Sequence, residues 1–221
     1  MAINLVKGQT IDLRKNDKGE SYDLSSVTIG LGWDVKQQSG GFLGKLFGGG
    51  KEEEYDLDAI AFLLDNNGKV ANLGRSVNNN GRHINFFEGD IIFFNSLKHP
   101  SGNIWLTGDN RTGEGDGDDE QIIVKLDALD PKYDKILFIV SIYQGRQKNQ
   151  HFGMVDNAFI RAVDSKGHEI ARYSLSGNSS YNGMCAMTFA EAYRKDGTWK
   201  FRAIGDPHHT DSFVDILEKY K

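Results

Sequence analysis

The chain has 221 residues, 38% hydrophobic and 11% aromatic, enough to bury one sizeable core. A formal charge of -5 argues against a nucleic-acid surface, and a single cysteine, Cys185, excludes an internal disulfide and a thiolate-rich zinc site built within one chain. The N-terminus lacks a basic region followed by a long apolar run, and no stretch reaches the ~20 apolar residues that span a bilayer. The expectation is a cytoplasmic protein with no transmembrane segment.

In chain order the pattern is mostly that of strands. Residues 9–13 alternate polar and apolar, and a turn follows at 15–19. Residues 26–33 place Val27, Ile29, Leu31 and Trp33 on one face, and the strand ends at Asp34. Residues 35–54 read as a flexible glycine-rich insertion; six of the twelve residues from 39 to 50 are glycine. Phe42, Leu43, Leu46 and Phe47 in this insertion would share one side of a helical turn. Residues 55–64 form a strand before a hairpin-type turn at 65–68. Residues 78–81 are a polar loop. Residues 91–95 read as a fully buried strand, 103–107 and 121–126 as two more, and 127–134 as a loop or single helical turn. Residues 135–143 are the most apolar strand and the expected centre of a sheet. Two hairpins follow, 157–163 with 169–175 and 184–194 with 198–204. Only 211–220 looks helical, with Phe213, Ile216 and Leu217 on one side and Asp211 as its cap. Many short strands with glycine turns and almost no helix predict a mostly β fold, a two-sheet β-sandwich with a short C-terminal helix, as one domain over 1–221.

Between the strands at 103–107 and 121–126 lies an acidic stretch. Residues 108–121 hold Asp109, Glu114, Asp116, Asp118, Asp119 and Glu120, with Arg111 the one cation. Carboxylates this dense repel one another unless a cation joins them. Gly113, Gly115 and Gly117 let the backbone fold around a small centre. Oxygen donors on a glycine-jointed loop suit Ca²⁺, which takes six to eight oxygens in loose geometry. A solvated acidic turn is the plainer alternative. Asp56 and Asp58, two apart on a strand, project to one face about 7 Å apart, while Leu57 and Ala59 point to the core. Asp34 sits at another strand end. Such acids and the loop can meet at one rim of a sandwich. An EF-hand does not fit: counted from Asp109, position 3 is Arg111, and counted from Asp116, position 6 is Gln121.

Several stretches together resemble a known family. They are Gly30-Leu31-Gly32-Trp33-Asp34, Asp56-Leu57-Asp58-Ala59 and the Gly-Asp-Asn-x-Thr-Gly-x-Gly-x-Gly-Asp-Asp-Glu run over 108–120. With them go Phe152-Gly153, Asn157-Ala158-Phe159-Ile160-Arg161, Glu169-Ile170-Ala171-Arg172-Tyr173 and residues 199–205. In order and spacing this is similar to the bacterial TerD family of tellurite-resistance and stress proteins. The resemblance implies a calcium-binding β-sandwich with metal-binding loops at one rim, holding two Ca²⁺ ions, which would leave a net charge of about -1. It implies as ligands Asp34, Asp56, Asp58, Asp109, Asn110, Asp118, Asp119 and Glu120, with backbone carbonyls near Thr112 and Gly115. Asp116 is either a ligand or outer charge. It also implies a non-enzymatic role in resistance to tellurite and other stresses, in the cytoplasm or peripheral to the inner membrane. The partners it implies, calcium-dependently, are other stress and tellurite-resistance proteins or the inner-membrane surface.

Two functions are open at this point. One is a calcium-responsive binding module whose rim loops are ordered by the ion. The other is a calcium-dependent hydrolase or reductase. The apolar side chains at 42–47 pack on the body of the protein, belong to a disordered loop, or dock on a membrane surface or partner when calcium is bound. The histidines show no zinc-helix spacing and read as surface loop residues, and Cys185, in an apolar run, reads as a buried structural thiol.

Overall fold

The structure, a computed structural model, describes residues 2–15, 19, 21–35, 55–79, 81–107, 118–175 and 179–221; at Val35, Asn79 and Arg82 only the backbone is described. The insertion with Phe42, Leu43, Leu46 and Phe47 lies outside the described residues, as does most of the turn at 15–19.

The strands are β1 (Ile3–Leu5), β2 (Thr10–Asp12), β3 (Val27–Val35), β4 (Leu57–Leu64), β5 (Arg75–Asn79), β6 (Arg82–Phe87) and β7 (Ile91–Ile92). They continue with β8 (Ile104–Thr107), β9 (Glu120–Val124), β10 (Lys135–Ile142), β11 (Val155–Val163), β12 (Glu169–Leu175), β13 (Ala186–Lys195) and β14 (Thr198–His208). Two six-stranded sheets result, ordered β1-β12-β11-β3-β9-β8 and β2-β14-β13-β10-β4-β7. The expected sandwich is present, and β10 sits inside its sheet. Its run of β-branched and aromatic residues is what a strand buried on both faces requires.

The main core lies between the sheets, where Val27, Ile29, Leu31 and Trp33 of β3 meet Leu57, Ala59, Ala61 and Leu63 of β4. The other face of β4 carries Ile60, Phe62 and Leu64 into a second cluster. That cluster is covered by the C-terminal helix α2 (Phe213–Leu217; the short α1, Gly145–Lys148, precedes it in the chain) and by the β5–β6 hairpin. Phe213 is its hub: its ring stands 6.2 Å from Phe62, 6.1 Å from Phe86 and 5.1 Å from Phe93. Burying a ring of this size contributes about 1.5–3 kcal/mol, so α2 is held by its apolar side rather than by capping. Asp211 is not its cap. Ser212 occupies that position without a side-chain hydrogen bond, and Asp211 Oδ2 instead accepts from the Arg146 amide at 3.0 Å.

Three other expectations change. In the polar stretch at 78–81, Asn78 and Asn79 are the end of β5, which pairs with β6 as a separate two-stranded sheet. The apolar run from Ile91 forms only a two-residue strand, after which Phe93 turns into the second cluster and Phe94 is left 38% exposed. A further strand, β1, runs parallel to β12 at the edge of its sheet.

Candidate metal centre

The C-terminal end of β3 and the N-terminal ends of β4, β9 and β11 share one rim. Antiparallel pairing fixes this, with Leu31 opposite Glu120 and Asp34 opposite Asp156. Glu120 opens β9, directly after the acidic run. It is 2% exposed, and its Oε2 accepts from the Ala59 amide at 2.5 Å. That bond joins the two sheets. It forms because β7 pairs β4 only at Ala61 and Phe62; nearer the rim, Glu120 takes the place of a neighbouring strand. Asp119 is fixed twice to β3: its amide donates to the Leu31 carbonyl at 2.7 Å, and its Oδ2 accepts from the Trp33 amide at 3.0 Å. The Trp33 indole then donates to the Tyr55 carbonyl at 3.3 Å, and the Tyr143 amide to the Asp56 carbonyl at 2.7 Å. Asp34, Asp56, Asp58, Asp119 and Glu120 are thus each at, or one residue from, a bond that pins this rim. Asp58 is 8% exposed, on the face of β4 away from the inter-sheet core.

Asp118 has different surroundings. Its carboxylate accepts from Arg161 Nε at 2.7 Å and from Gln121 Nε2 at 3.2 Å, with its side chain 2% exposed. The pairing raises the affinity of the Arg161 guanidinium for its proton, chiefly through the hydrogen bond to Asp118. Arg161 also bonds Glu169, which Arg172 grips through two further nitrogens, each contact at 2.9 Å. The carboxylate rests on Gly30 of β3: a Cβ there would lie 2.2 Å from it. Glycine is needed at that position for close approach. Asp34 accepts from Asn157 Nδ2 at 2.7 Å. Asn157 stands at φ 50 within the register shift between Asp156 and Phe159, so a β-bulge aims its side chain at Asp34.

Of the sequence-predicted ligands, the structure therefore brings Asp34, Asp56, Asp58, Asp119 and Glu120 to one rim and sets Asp118 against Arg161. Asp109, Asn110, Thr112 and Gly115 lie outside the described residues. Among the described residues, no three His, Cys, Asp or Glu side chains come together as a metal-holding group. The donors at the rim are hard carboxylate oxygens without thiolate or imidazole, the set that suits Ca²⁺. Sequence reasoning gave Gly30, Arg161 and Asn157 no role beyond the family pattern. A glycine inside an apolar strand was the available signal for Gly30; nothing in the sequence tied Arg161 to Asp118, 43 residues away.

Another buried carboxylate lies by the opposite end of β4, where the Leu63 amide donates to the Asp90 carbonyl at 2.9 Å. Asp90, 1% exposed, accepts from Tyr133 Oη at 2.6 Å, from the Asn72 amide at 2.9 Å and stands 3.1 Å from His99 Nε2. His99 is 7% exposed, a core histidine rather than a surface one. Its Nδ1 meets both the amide and the hydroxyl of Ser101, two residues on. These contacts, with the Gly102 amide donating to the His99 carbonyl at 2.9 Å, belong to a local turn. Cys185 is buried as expected.

A two-sheet sandwich that gathers strand-end carboxylates at one rim, with a long acidic connection arriving there, defines a class of β-rich proteins built around that connection. The chain belongs to the TerD family: the TerD domain matches residues 1–220. It is 58% identical over 220 residues to the tellurium resistance protein TerX of Serratia marcescens, covering both chains fully. It is 41% identical over 221 residues to the stress response protein SCP2 of Bacillus subtilis (strain 168), again over both full lengths. A crystal structure of a TerD homologue from Streptomyces coelicolor A3(2) shares the fold, with a TM-score of 0.59 at 24% identity over 89% of this chain and 98% of that one. These relatives are named as resistance or stress-response proteins. No helix among the described residues is long and apolar enough to cross a membrane.

Proposed function

We propose that this chain is a Ca²⁺-binding, non-enzymatic stress-response module of the TerD family. The ions are held between the acidic connection at 108–120 and the rim acids. Asp34, Asp56, Asp58, Asp119 and Glu120 supply carboxylates from the rim; Asp109 and Asn110, with carbonyls near Thr112 and Gly115, supply the connection's share. Asp118, bonded to Arg161, anchors the end of the connection and adds negative charge behind it. The observation that carries this reading is the Glu120–Ala59 bond together with the Asp119–Trp33 bond. They tie the last acids of the connection to backbone one residue from Asp58 and from Asp34, on two different sheets, and so support the reading.

Ca²⁺ would neutralise mutual repulsion there and set the surface that the rim presents. In this reading that surface meets, in the cytoplasm, another stress or tellurite-resistance protein or the face of the inner membrane. The names of the relatives support the stress and tellurite setting. Calorimetric titration with Ca²⁺ tests the binding. Saturable uptake in the micromolar-to-millimolar range, abolished in Glu120→Gln, is expected; a wild type that takes up no Ca²⁺ in that range overturns the reading.

A further inference from the structure

A cleft of about 480 Å³ opens beside the rim, where β10 runs out into α1. Its lining includes Arg146, Gln150, His151, Gly183, Cys185 and His209, with no carboxylate among the described residues that line it. In a chain of net charge -5 that is an unusual concentration of nitrogen donors. We propose that this cleft binds a small anion through a phosphate group, with Arg146 as its main contact and His209 and His151 beside it.

The argument starts with Arg146. Its amide is used by Asp211, at 3.0 Å, but its guanidinium makes no ion pair with a described residue. It lies close enough to Cys185 for its charge to be felt at the thiol. A planar guanidinium with five donors matches phosphate geometry better than any other side chain. The nearest acid, Asp211, already has one oxygen engaged by the Arg146 amide.

The second observation is His151. Its Nδ1 is buried and has no hydrogen-bond partner among the described residues. The ring lines the cleft, and turning it toward a ligand hydroxyl would supply the missing partner. The third is the floor. Cys185 is 3% exposed, and burial pushes its thiol up, followed in size by the effect of Asp211. It stays protonated and adds no negative charge to repel an anion. His209 donates from its Nδ1 to the Gly183 carbonyl at 3.2 Å, which leaves Nε2 to accept from an O–H of the ligand. A non-glycine residue in the left-handed region stands on each side of α1, Gln144 at φ 55 and Asn149 at φ 56. Holding α1 in this shape costs backbone strain of the sort that concentrates at binding sites.

The volume exceeds that of a bare phosphate and lies in the range of small-molecule sites. A phosphate monoester of a small organic alcohol is the class of ligand that fits. A cation finds no acid in the lining, and a wholly apolar ligand would desolvate the guanidinium.

The test uses the full chain in a chelating buffer, so that it stands apart from the calcium reading. Inorganic phosphate and glycerol phosphate are titrated separately, followed by calorimetry and by amide shifts at residues 145–151 and 183–185. Saturable binding of either probe, weakened tenfold or more in Arg146→Gln and severalfold in His209→Gln, is expected. Both residues are exposed, so both variants keep the fold. Tighter binding of glycerol phosphate than of inorganic phosphate identifies the ester as the ligand; equal binding identifies the free ion. Absence of saturable binding by both probes in the millimolar range overturns the proposal, as does binding that Arg146→Gln leaves unchanged.

Discussion

Asp90 and the rim acids present two ways of holding a carboxylate in one molecule. Asp90 is surrounded by protein donors: a phenol, a backbone amide and an imidazole. The rim acids instead stand at neighbouring strand ends and strand starts, five of them along one rim, where a connection rich in further acids is joined in the sequence. A single buried carboxylate is satisfied by hydrogen bonds. A group of them repels itself, and each added acid makes the others harder to satisfy by protein donors alone. The first arrangement stabilises a fold; the second is the one for which we propose a cation.

The comparison can be broken from either side. Asp90→Ala strands Tyr133, His99 and the Asn72 amide without their acceptor, and should lower stability by about 3–5 kcal/mol in urea unfolding, with or without Ca²⁺. If the loss appears only when Ca²⁺ is present, Asp90 is not a purely structural acid. Next in size, saturating Ca²⁺ should raise wild-type stability by about 2.7 kcal/mol at a hundredfold excess over its dissociation constant. Glu120→Gln should erase that gain in a thermal melt while keeping most of the metal-free stability. A variant that retains the full calcium response removes Glu120 from the site.

Gly30→Ala forces a methyl group against Asp118 and should cost about 1–3 kcal/mol. It should also weaken Ca²⁺ uptake, because Asp118 positions the two residues after it. Unaltered uptake would show that the Arg161 pair and the rim act separately.

The smallest effect is in acid. Burial alone would raise the pKa of Asp90, but the hydrogen bonds of His99 and Tyr133 outweigh it and hold it below the ordinary value. Its contribution is therefore fully present above the unfolded value near 3.9 and is lost as pH falls through the lower folded value. The urea midpoint should drop below about pH 4, and the drop should be shallower in Asp90→Asn.

The sandwich was legible wherever one periodicity ruled. β3 alternates cleanly because one face meets the core and the other meets strand-surface charge, and the 157–175 and 184–204 hairpins are punctuated by turn glycines. β5 and β6 were not legible: Arg75-Ser76-Val77 and Arg82-His83-Ile84 carry too little apolar alternation, and their hairpin is held by the second cluster rather than by its own pattern. The same cluster explains Phe93 and Phe94, a continuous apolar run that splits at a turn, with Phe93 packed against Phe213 and Phe94 left outside. At the rim, acid type and spacing pointed to Asp56, Asp58, Asp119 and Glu120. What spacing could not reveal was that Asp118 has a guanidinium of its own. Ion pairs between distant strands leave no local trace.

The pairing of the first strands has a consequence for how this molecule is made. β1 joins β12 at residues 171–173, and β2 joins β14 at residues 200–202. Each sheet thus receives its first strand only after nearly the whole chain exists. A chain still on the ribosome has two unclosed sheet edges, and contacts of such long sequence separation are slow to form. Truncation within the last strand would leave β2 without its partner, and the start and the finish of the chain stand or fall together.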